Sequence, residues 1–403
     1  MIDFTFPPEH EALRQRVAAF VAEEVMPVEE AMCGGRVDAG QLAELQARAR
    51  ALNLWTPQLP PEWGGLGAGP LSMALVNQEL GASAIAPLAL NCAPPNEANM
   101  LLLQHAATPD QQERYLRPLA AGQVRSCFAM SEKAAGSDLA GIKTRARRDG
   151  GHWVLSGEKW FIGGARSAAF AVVAAITNPN VAAHQGTTLF LVDTDTAGWE
   201  VVREIRSLGT HVPEGPCEIR LTGCRVPDDA VLGPEGGASP LIQERLGLAR
   251  LSHCMRWIGI CQRALDLAAG RALHRETFGA PLAQHQAVQL MLADSAIDLY
   301  ASRLMALHCA WLMEQAKPHR QEIAMAKVFV SEALNRIVDR AIQIHGSLGY
   351  SADLPLERYY RDARGARIYD GPSEVLRMAI AFDVLKTVAR DHTAKAACGG
   401  LAP

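Results

Sequence analysis

The chain has 403 residues, of which 49% are hydrophobic and 20% are charged, and this length predicts two or three globular domains with an ample core. Its 39 basic and 43 acidic side chains give a net charge of −4 and are scattered along the sequence, which argues against a nucleic-acid-binding surface because such surfaces need clustered cations. The nine cysteines form no CxxC pair and no Cys/His ligand spacing, so we expect reduced thiols, no metal site and a cytoplasmic location.

The first third of the chain has the pattern of α-helices. The segment Met1-Ile2-Asp3-Phe4 lacks the basic and then apolar layout of a secretory signal, which agrees with the expected cytoplasmic location. The first helix is predicted to begin near Pro8 and to end at Pro27. Further helices are predicted over 41–54, 71–80, 96–105 and 109–121. We therefore expect an N-terminal α-helical domain over residues 1–122.

Short β-compatible runs, separated by glycine and proline, occupy the middle of the chain. Gly150-Gly151 lies between two of them and indicates a hairpin. Asn178-Pro179-Asn180 divides the uncharged run 167–192 into two halves of strand length, so we expect a second hairpin there and no membrane span. The runs are 126–130, 143–148, 153–155, 170–177, 187–192, 199–205 and 217–221. They predict a middle antiparallel β-domain over residues 123–235, either a barrel or a sandwich.

Longer helices return after Gly236. Two apolar stripes with helical spacing, beginning at Val288 and at Ile323, suit antiparallel helices. We expect a C-terminal four-helix-bundle domain over residues 236–390 and a flexible, Gly-rich tail over residues 391–403. The resulting α+β multidomain order collects the strands in the middle. It argues against a nicotinamide-binding fold, in which strands and helices alternate.

Two segments carry more polar and small residues than a scaffold needs. Residues 130–138 leave a predicted strand with small side chains that allow a ligand to approach the backbone, and Ser131 and Ser137 add hydroxyl groups. An ordinary turn capped by a serine or aspartate also accounts for this segment. Residues 360–374 place acids and arginines around a Gly-Pro break. There Asp370 is interpreted either as a helix N-cap or as a general base at a pocket edge.

Five motifs follow one another along the chain. They are Phe128-Ala129-Met130-Ser131-Glu132 with Gly136-Ser137-Asp138, Gly157-Glu158-Lys159-Trp160-Phe161-Ile162-Gly163-Gly164, Arg275-Glu276-Thr277-Phe278-Gly279 with His285-Gln286, Gln343-Ile344-His345-Gly346, and Asp370-Gly371-Pro372-Ser373-Glu374. In this order and spacing they resemble the acyl-CoA dehydrogenases, flavoenzymes that form the α,β-double bond of a CoA thioester. The resemblance covers about residues 9–386. The region from Glu244 to Arg256 is similar to the branch of the family that is fused behind a kinase-like domain, so we expect a free-standing relative of that branch.

The resemblance implies one FAD between the β-domain and the C-terminal bundle. The backbone of Met130 and the hydroxyl of Ser131 are implied to hold the flavin ring, with Phe161 and Gly163 beside the ring and the pyrophosphate. The other implied FAD contacts, several of them across a subunit boundary, are Phe128, Ser137, Arg275, Thr277, Phe278, Gln286, Gln343, Gly346, Ser373 and Glu374. Plain helix packing is the alternative for Phe278, Gln286 and Gln343. The shared boundary implies a homo-oligomer, either a dimer or a tetramer.

Asp370 occupies the position of the family's catalytic base, which is usually glutamate. The resemblance implies that Asp370 removes the α-proton of an acyl-CoA while the β-hydride leaves for flavin N5, and that a backbone N–H at the base helps to hold the enolate oxygen. We expect desolvation to raise the pKa of this carboxyl towards neutrality. The alternative position of the base in some relatives is Ala249 here, which cannot serve. The implied substrate-binding residues are Ser137, Arg250 and Gly371, and a structural salt bridge is the alternative for Arg250.

Three departures from the family pattern leave other functions open. Phe161 replaces a tryptophan, Gly163 replaces a threonine, and the side chain of Asp370 is one methylene shorter than glutamate. The main expectation is an acyl-CoA dehydrogenase that passes electrons to an electron-transfer flavoprotein. One alternative is a flavin oxidase of the same fold, acting on an acyl-CoA or a nitroalkane. Another is a catalytically silent subunit that binds acyl-CoA.

Overall fold

The computed structural model describes residues 5–31, 38–208 and 214–397, without the side chains of Glu30 and of residues 391–397. The N-terminal part is helical, as predicted. Its helices are α1 (Pro8–Phe20), α2 (Met26–Ala31), α3 (Ala39–Ala51), α4 (Pro70–Leu80), α5 (Ala86–Ala89), α6 (Asn96–Ala106), α7 (Pro109–Gln111) and α8 (Arg117–Ala120). The prediction that Pro27 ends the first helix is wrong. The chain continues through a π-helical turn, Val21–Val25, directly into α2, and Pro27 is the second residue of α2.

The middle part is a single eight-stranded sheet. Its strands are β1 (Arg125–Ala129), β2 (Arg145–Arg148), β3 (His152–Ile162), β4 (Ala168–Ile176), β5 (Thr187–Asp193), β6 (Trp199–Glu204), β7 (Cys217–Pro227) and β8 (Val231–Leu232), with the short helix α9 (Ala183–Gly186) before β5. The strand order is β6-β7-β3-β2-β4-β5-β8, and β1 pairs with β4. Both predicted hairpins form, since β2 pairs antiparallel with β3 and β4 antiparallel with β5.

One pairing departs from the expected antiparallel pattern. β1 lies parallel to β4 over its whole length, and β2 also touches β4 in parallel register at Arg145 and Ile176. Parallel neighbours need a long crossover connection, and the chain between β1 and β4 supplies it through the loop after β1 and the β2–β3 hairpin. The consequence is that the end of β1 points out of the sheet beside the end of β3.

The C-terminal part is a helical bundle. It consists of α10 (Ala238–His274), the hairpin β9 (Glu276–Thr277) and β10 (Ala280–Pro281), and then α11 (Gln286–Glu314), α12 (Arg320–His345), α13 (Leu356–Ala366) and α14 (Ser373–Ala397). Residues of α10, α11, α12 and α13 form one hydrophobic core, whereas a separate core lies inside the sheet. A third core joins α6 and α8 to β4, β5 and the start of α10. This third core fixes α6, β1 and the first half of α10 around a common space.

The three parts follow one another in the predicted order. The predicted fold class, with helical, β and helical parts in that order, is confirmed, whereas the boundaries at residues 122, 235 and 390 stay predictions. The predicted tail begins inside α14, which continues to Ala397, and residues 398–403 lie outside the described part. The seven cysteines of the described residues are free and buried. Within the same residues, no helix combines the length and the apolar character that crossing a bilayer requires.

Candidate active site

A cavity of about 820 Å³ opens where the N-terminal helices, the sheet and the bundle meet. Its walls come from the ends of β1 and β3, the start of α6, the first half of α10 and the chain on both sides of the start of α14. The size is typical of a pocket for a small molecule or cofactor. Nine of the residues selected from the sequence line this cavity, namely Phe128, Met130, Ser131, Ser137, Phe161, Gly163, Arg250, Asp370 and Gly371.

The other selected residues do not line it. Ser373 and Glu374 form the first turn of α14, where Glu374 is exposed and Ser373 is buried, with no partner for its hydroxyl among the described residues. The remaining six lie in the β9–β10 hairpin and its flanks and at the adjoining ends of α11 and α12, and they are Arg275, Thr277, Phe278, Gln286, Gln343 and Gly346. The side chain of Phe278 is 100% exposed. These six residues therefore lie away from the cavity of their own copy of the chain.

A buried ion pair shapes the loop that follows β1. The side chain of Lys159, on β3, is fully buried and its Nζ donates to the carboxylate of Glu132 at 3.0 Å and to the carbonyl of Met130 at 2.9 Å. Glu132 also accepts from the backbone N–H groups of Lys143 and Thr144, at 2.6 and 3.0 Å. Burial lowers the pKa of Lys159 to about 8, against the opposing charge of Glu132. Both ends of the loop are thereby held against β3 at the cavity edge.

The strand ends offer backbone and open space to a flat ligand. Ala129 is the last residue of β1 that pairs with β4, so Met130 and Ser131 lie beyond the ladder. A Cβ atom added to Gly136 or to Gly163 would find no atom within 4 Å. Phe161 has a left-handed backbone, with φ of 59°, and is 51% exposed at the cavity. These features fit a planar ring that covers the small residues, as the resemblance to a flavoenzyme requires.

The hydroxyl of Ser131, which was expected to hold the flavin ring, bonds to the chain at β3. It donates to the backbone carbonyl of Trp160 at 2.7 Å. Because a hydroxyl has one proton, Ser131 in this rotamer can only accept a hydrogen bond from a ligand. The neighbouring backbone N–H of Trp160 donates to the carbonyl of Ser131 at 2.8 Å, so the two strand ends are tied to each other.

Asp370 lies in a tight loop between α13 and α14. Its φ is 53° and that of Gly371 is 100°, so two consecutive residues have left-handed backbones. Arg250 on α10 donates from Nε to the carbonyl of Asp370 at 2.8 Å, and Lys327 on α12 donates to the carbonyl of Gly371 at 2.7 Å. Since α14 begins only at Ser373, Asp370 is not the N-cap of that helix. The loop instead presents its carboxylate to the cavity.

A chain of hydrogen bonds fixes the carboxylate of Asp370. His253 on α10 approaches it with Nε2 at 2.9 Å from Oδ2. The other ring nitrogen, Nδ1, lies 3.3 Å from the guanidinium of Arg256. Because a guanidinium only donates, Nδ1 must accept and the proton of His253 lies on Nε2, facing Asp370. Arg256 is held in turn by Glu97 at 3.0 Å and by the amide oxygen of Asn77 at 2.5 Å.

The expected rise in the pKa of Asp370 is not found. Burial by itself raises the pKa of this carboxyl, but the hydrogen bond from His253 and the nearby charges of Arg245 and Arg250 outweigh it, and the pKa is lowered to about 2. The ionised form is favoured because every close group donates to it or carries positive charge. Asp370 is therefore a carboxylate at neutral pH, ready to accept a proton.

Sequence reasoning missed three cavity residues on α10, namely Arg245, His253 and Arg256. No local motif marks them, since their partners lie on α6 and in the loop before α14. One signal was available. Arg250, His253 and Arg256 are three residues apart, which places three polar side chains on one side of a helix that is otherwise rich in buried apolar residues. Among the described residues, no group of three or more His, Cys, Asp or Glu side chains is arranged to hold a metal ion.

Comparisons with known proteins agree with this architecture. Residues 7–123, 127–224 and 239–385 match the profiles of the N-terminal, middle and C-terminal domains of acyl-CoA dehydrogenase. The chain is 38% identical over 396 residues to the probable acyl-CoA dehydrogenase FadE2 of Mycobacterium tuberculosis, covering 94% of this chain and 96% of that protein.

Two further matches show how much of each chain is similar. The chain is 34% identical over 398 residues to acyl-CoA dehydrogenase family member 11 of Rattus norvegicus, covering 94% of this chain but 51% of that longer protein. A solved structure of a putative acyl-CoA dehydrogenase from Mycobacterium abscessus superimposes with a TM-score of 0.90 at 32% identity, covering 96% of this chain and 100% of that one.

Proposed function

The chain belongs to the acyl-CoA dehydrogenase family, and we propose that it oxidises an acyl-CoA thioester to the 2,3-enoyl-CoA with Asp370 as the catalytic base. The observation that carries this proposal is the position of Asp370. Its ionised carboxylate lines the same cavity as Met130, Ser131 and Gly163, which are the residues proposed to hold the flavin. A base, a planar ring and an acyl chain can therefore meet in one cavity.

Members of the family bind FAD, and the cavity fits this cofactor. Met130 and Ser131 would hold the ring at the end of β1, while the open surface at Gly136 and Gly163 would receive its flat face and the adjoining phosphates. When bound, FAD supplies the acceptor for the β-hydride. Phe161, half exposed at the cavity, would exclude water from one side of the ring.

Asp370 would perform the proton transfer. Its Oδ2 is occupied by His253, so Oδ1 is the oxygen that faces the α-proton. The loss of one methylene relative to glutamate is offset by the left-handed loop, which Arg250 and Lys327 hold through its carbonyl groups. An acyl chain beside the carboxylate would remove water from it and raise its pKa, which strengthens it as a base at the moment of reaction.

The same loop offers donors for the developing enolate. The backbone N–H groups of Asp370 and Gly371 have no acceptor among the residues that the structure describes. A thioester carbonyl placed at this loop would accept from them and would be stabilised as negative charge develops on its oxygen. Asp370 would thus contribute a base through its side chain and a donor through its backbone.

The enzyme is proposed to act as a homo-oligomer, a dimer or a tetramer. Phe278 is fully exposed, and an apolar stripe runs along the outer side of α11 at Leu290, Ile297, Tyr300, Leu304 and Trp311. Their spacing of three, four and seven residues places them on one helix face. Exposed apolar patches of this kind mark contact surfaces. A second copy seated there would also bring the hairpin residues Arg275 and Thr277 to a cofactor.

The proposed electron acceptor is an electron-transfer flavoprotein, and Phe161 offers it apolar surface beside the flavin site. We also propose that this chain is related to the branch of the family that is fused behind a kinase-like domain. It is compatible with the match to family member 11, which is about twice as long as this chain, although FadE2 matches at higher identity and over nearly its whole length.

An anaerobic panel of acyl-CoA esters, graded in length and branching, tests the proposed function. Mixing with the purified yellow protein should bleach the flavin with at least one ester, and the enoyl-CoA product should appear in equal amount. Admission of air then distinguishes the acceptor, because slow recovery of colour is expected for a dehydrogenase and rapid recovery with peroxide release for an oxidase. A colourless protein that cannot be reconstituted with FAD would refute the enzyme proposal in favour of a silent subunit.

A further inference from the structure

Asp370 is close to more positive charge than its single carboxylate can neutralise. Its charge acts on Arg245 and Arg250 of α10 and on Lys327 of α12. Arg256 is already neutralised by Glu97, so it does not share in the imbalance. Burying a cation without a matching anion costs free energy. A cavity with uncompensated positive charge favours the binding of an anionic ligand.

Among these cations, Arg245 has N–H groups that are available to a ligand. Its side chain is 6% exposed, and burial lowers its pKa to about 10 against the favourable charge of Asp370. Nε donates to the amide oxygen of Asn99 at 2.8 Å. The guanidinium lies over the ring of Phe128, 3.9 Å from its centroid. In the part of the chain that the structure describes, the terminal nitrogens Nη1 and Nη2 have no acceptor and no carboxylate is paired with them.

The guanidinium is also held in place before any ligand arrives. Asn99 donates to the hydroxyl of Ser126 at 2.9 Å, and that hydroxyl donates to the amide oxygen of Asn96 at 3.0 Å. Arg245 is thus fixed by α6 on one side and by the ring of Phe128 on another. A planar guanidinium with two free donors that point the same way binds a carboxylate or a phosphate through paired hydrogen bonds.

We propose that Arg245 binds an anionic group carried by the acyl chain of the substrate, so that the preferred substrates are CoA thioesters of acids with a second negatively charged group. This inference rests on the proposed function, because it places the thioester at Asp370. The group that meets Arg245 belongs to the acyl part in this proposal, since Arg245 lines the same cavity as the base that acts beside the thioester.

Matched pairs of esters test the proposal with wild-type protein. The pairs are butyryl-CoA with succinyl-CoA, valeryl-CoA with glutaryl-CoA, and hexanoyl-CoA with adipyl-CoA, which differ only in a methyl group replaced by a carboxylate. Anaerobic calorimetric titration of the flavin-loaded protein gives each dissociation constant. In at least one pair the charged ester should bind about tenfold to a hundredfold more tightly. Tighter binding of the uncharged ester in every pair overturns the proposal.

Substitutions of Arg245 test whether its side chain causes the preference for charged esters. Arg245→Met should abolish the advantage of the charged ester and leave the uncharged ester unaffected or improved, whereas Arg245→Lys should retain part of the advantage. Arg147→Met is the matched control, because Arg147 is exposed on β2, and it should change neither constant. If Arg245→Met loses FAD instead, as read from absorbance after gel filtration, the anion at Arg245 belongs to the cofactor and the proposal is wrong.

The outcome is separable from that of the proposed function. Bleaching by uncharged esters without any preference for charged ones refutes the role of Arg245 alone. Failure of every ester to bleach the flavin refutes the dehydrogenase proposal, whereas the binding constants of the same pairs still report on Arg245.

Discussion

Replacement of His253 by leucine tests how the carboxylate of Asp370 is controlled. The substitution removes the N–H that lies 2.9 Å from Oδ2 and keeps an apolar side chain of similar size beside Trp257. A hydrogen bond to a charged group contributes about 1.5–3 kcal/mol. Because one pH unit of pKa corresponds to about 1.4 kcal/mol, the pKa of Asp370 should rise by about one to two pH units from its value near 2.

Two consequences follow for the variant. The acid limb of the rate of flavin bleaching should move to higher pH, since the base must be ionised to act. The maximal rate should also fall by about tenfold to a hundredfold, because the short side chain loses the contact that directs Oδ1 at the substrate. His253→Gln, whose amide can still donate to Oδ2, should restore much of the rate.

The assay is anaerobic stopped-flow bleaching at saturating acyl-CoA, from about pH 3 to about pH 9, so that the range reaches the raised pKa of the base in the variant. His308→Leu is the matched control, because His308 also stacks on a tryptophan, Trp311, but is exposed on α11 and does not line the cavity. An acid limb that is the same in the wild type and in His253→Leu would refute the claim that His253 sets the pKa of the base.

The ionised carboxylate also links stability to pH. The folded-state pKa of Asp370, about 2, lies below the ordinary value of 3.8. Its ionisation therefore stabilises the fold at neutral pH, by about 2 kcal/mol, and this contribution is lost as the pH falls from about 4 to about 2. Urea unfolding at several pH values should show a shallower acid loss in His253→Leu than in the wild type.

Three further substitutions have expected outcomes. Lys159→Met leaves Glu132 buried without its partner and should cost about 3–5 kcal/mol in urea unfolding, whereas Lys133→Met, at a half-exposed position, should cost far less. Gly371→Ala places a Cβ atom on a residue with φ of 100° and 3.2 Å from the side chain of Leu376. The free energy of unfolding should therefore fall by about 1–3 kcal/mol and flavin bleaching should slow. Unchanged stability would contradict the proposed strain in this loop. Phe278→Ser should lower the mass measured by light scattering, whereas Val181→Ser, at an exposed position in the loop between β4 and α9, should not.

The local patterns of the sequence specified much of the fold. Gly150-Gly151 and Asn178-Pro179-Asn180 both mark real hairpins, because turn chemistry acts between near neighbours. Pro27 misled the prediction since proline is tolerated in a first helical turn as well as after a last one. The parallel pairing of β1 with β4 depends on contacts across about forty residues. No local pattern reports such a contact.

The candidate site was predictable only in part. Asp370 and the residues at the ends of β1 and β3 were found through motifs, and the structure places them around one cavity. Arg250 was selected for a different role and His253 was not selected, because both act on Asp370 from α10, with Arg250 120 residues away in the chain. The pKa of Asp370 was expected to rise since burial was considered without these neighbours. Their positive charge and hydrogen bonds reverse the direction.

The most direct test of the proposed catalytic role is the rate of anaerobic flavin bleaching in Asp370→Asn. The amide keeps the shape of the side chain but cannot accept the α-proton, so FAD should remain bound at the wild-type ratio. Bleaching by the best acyl-CoA should slow by about a hundredfold to ten-thousandfold. A variant that retains FAD and bleaches at the wild-type rate would contradict the assignment of Asp370 as the base.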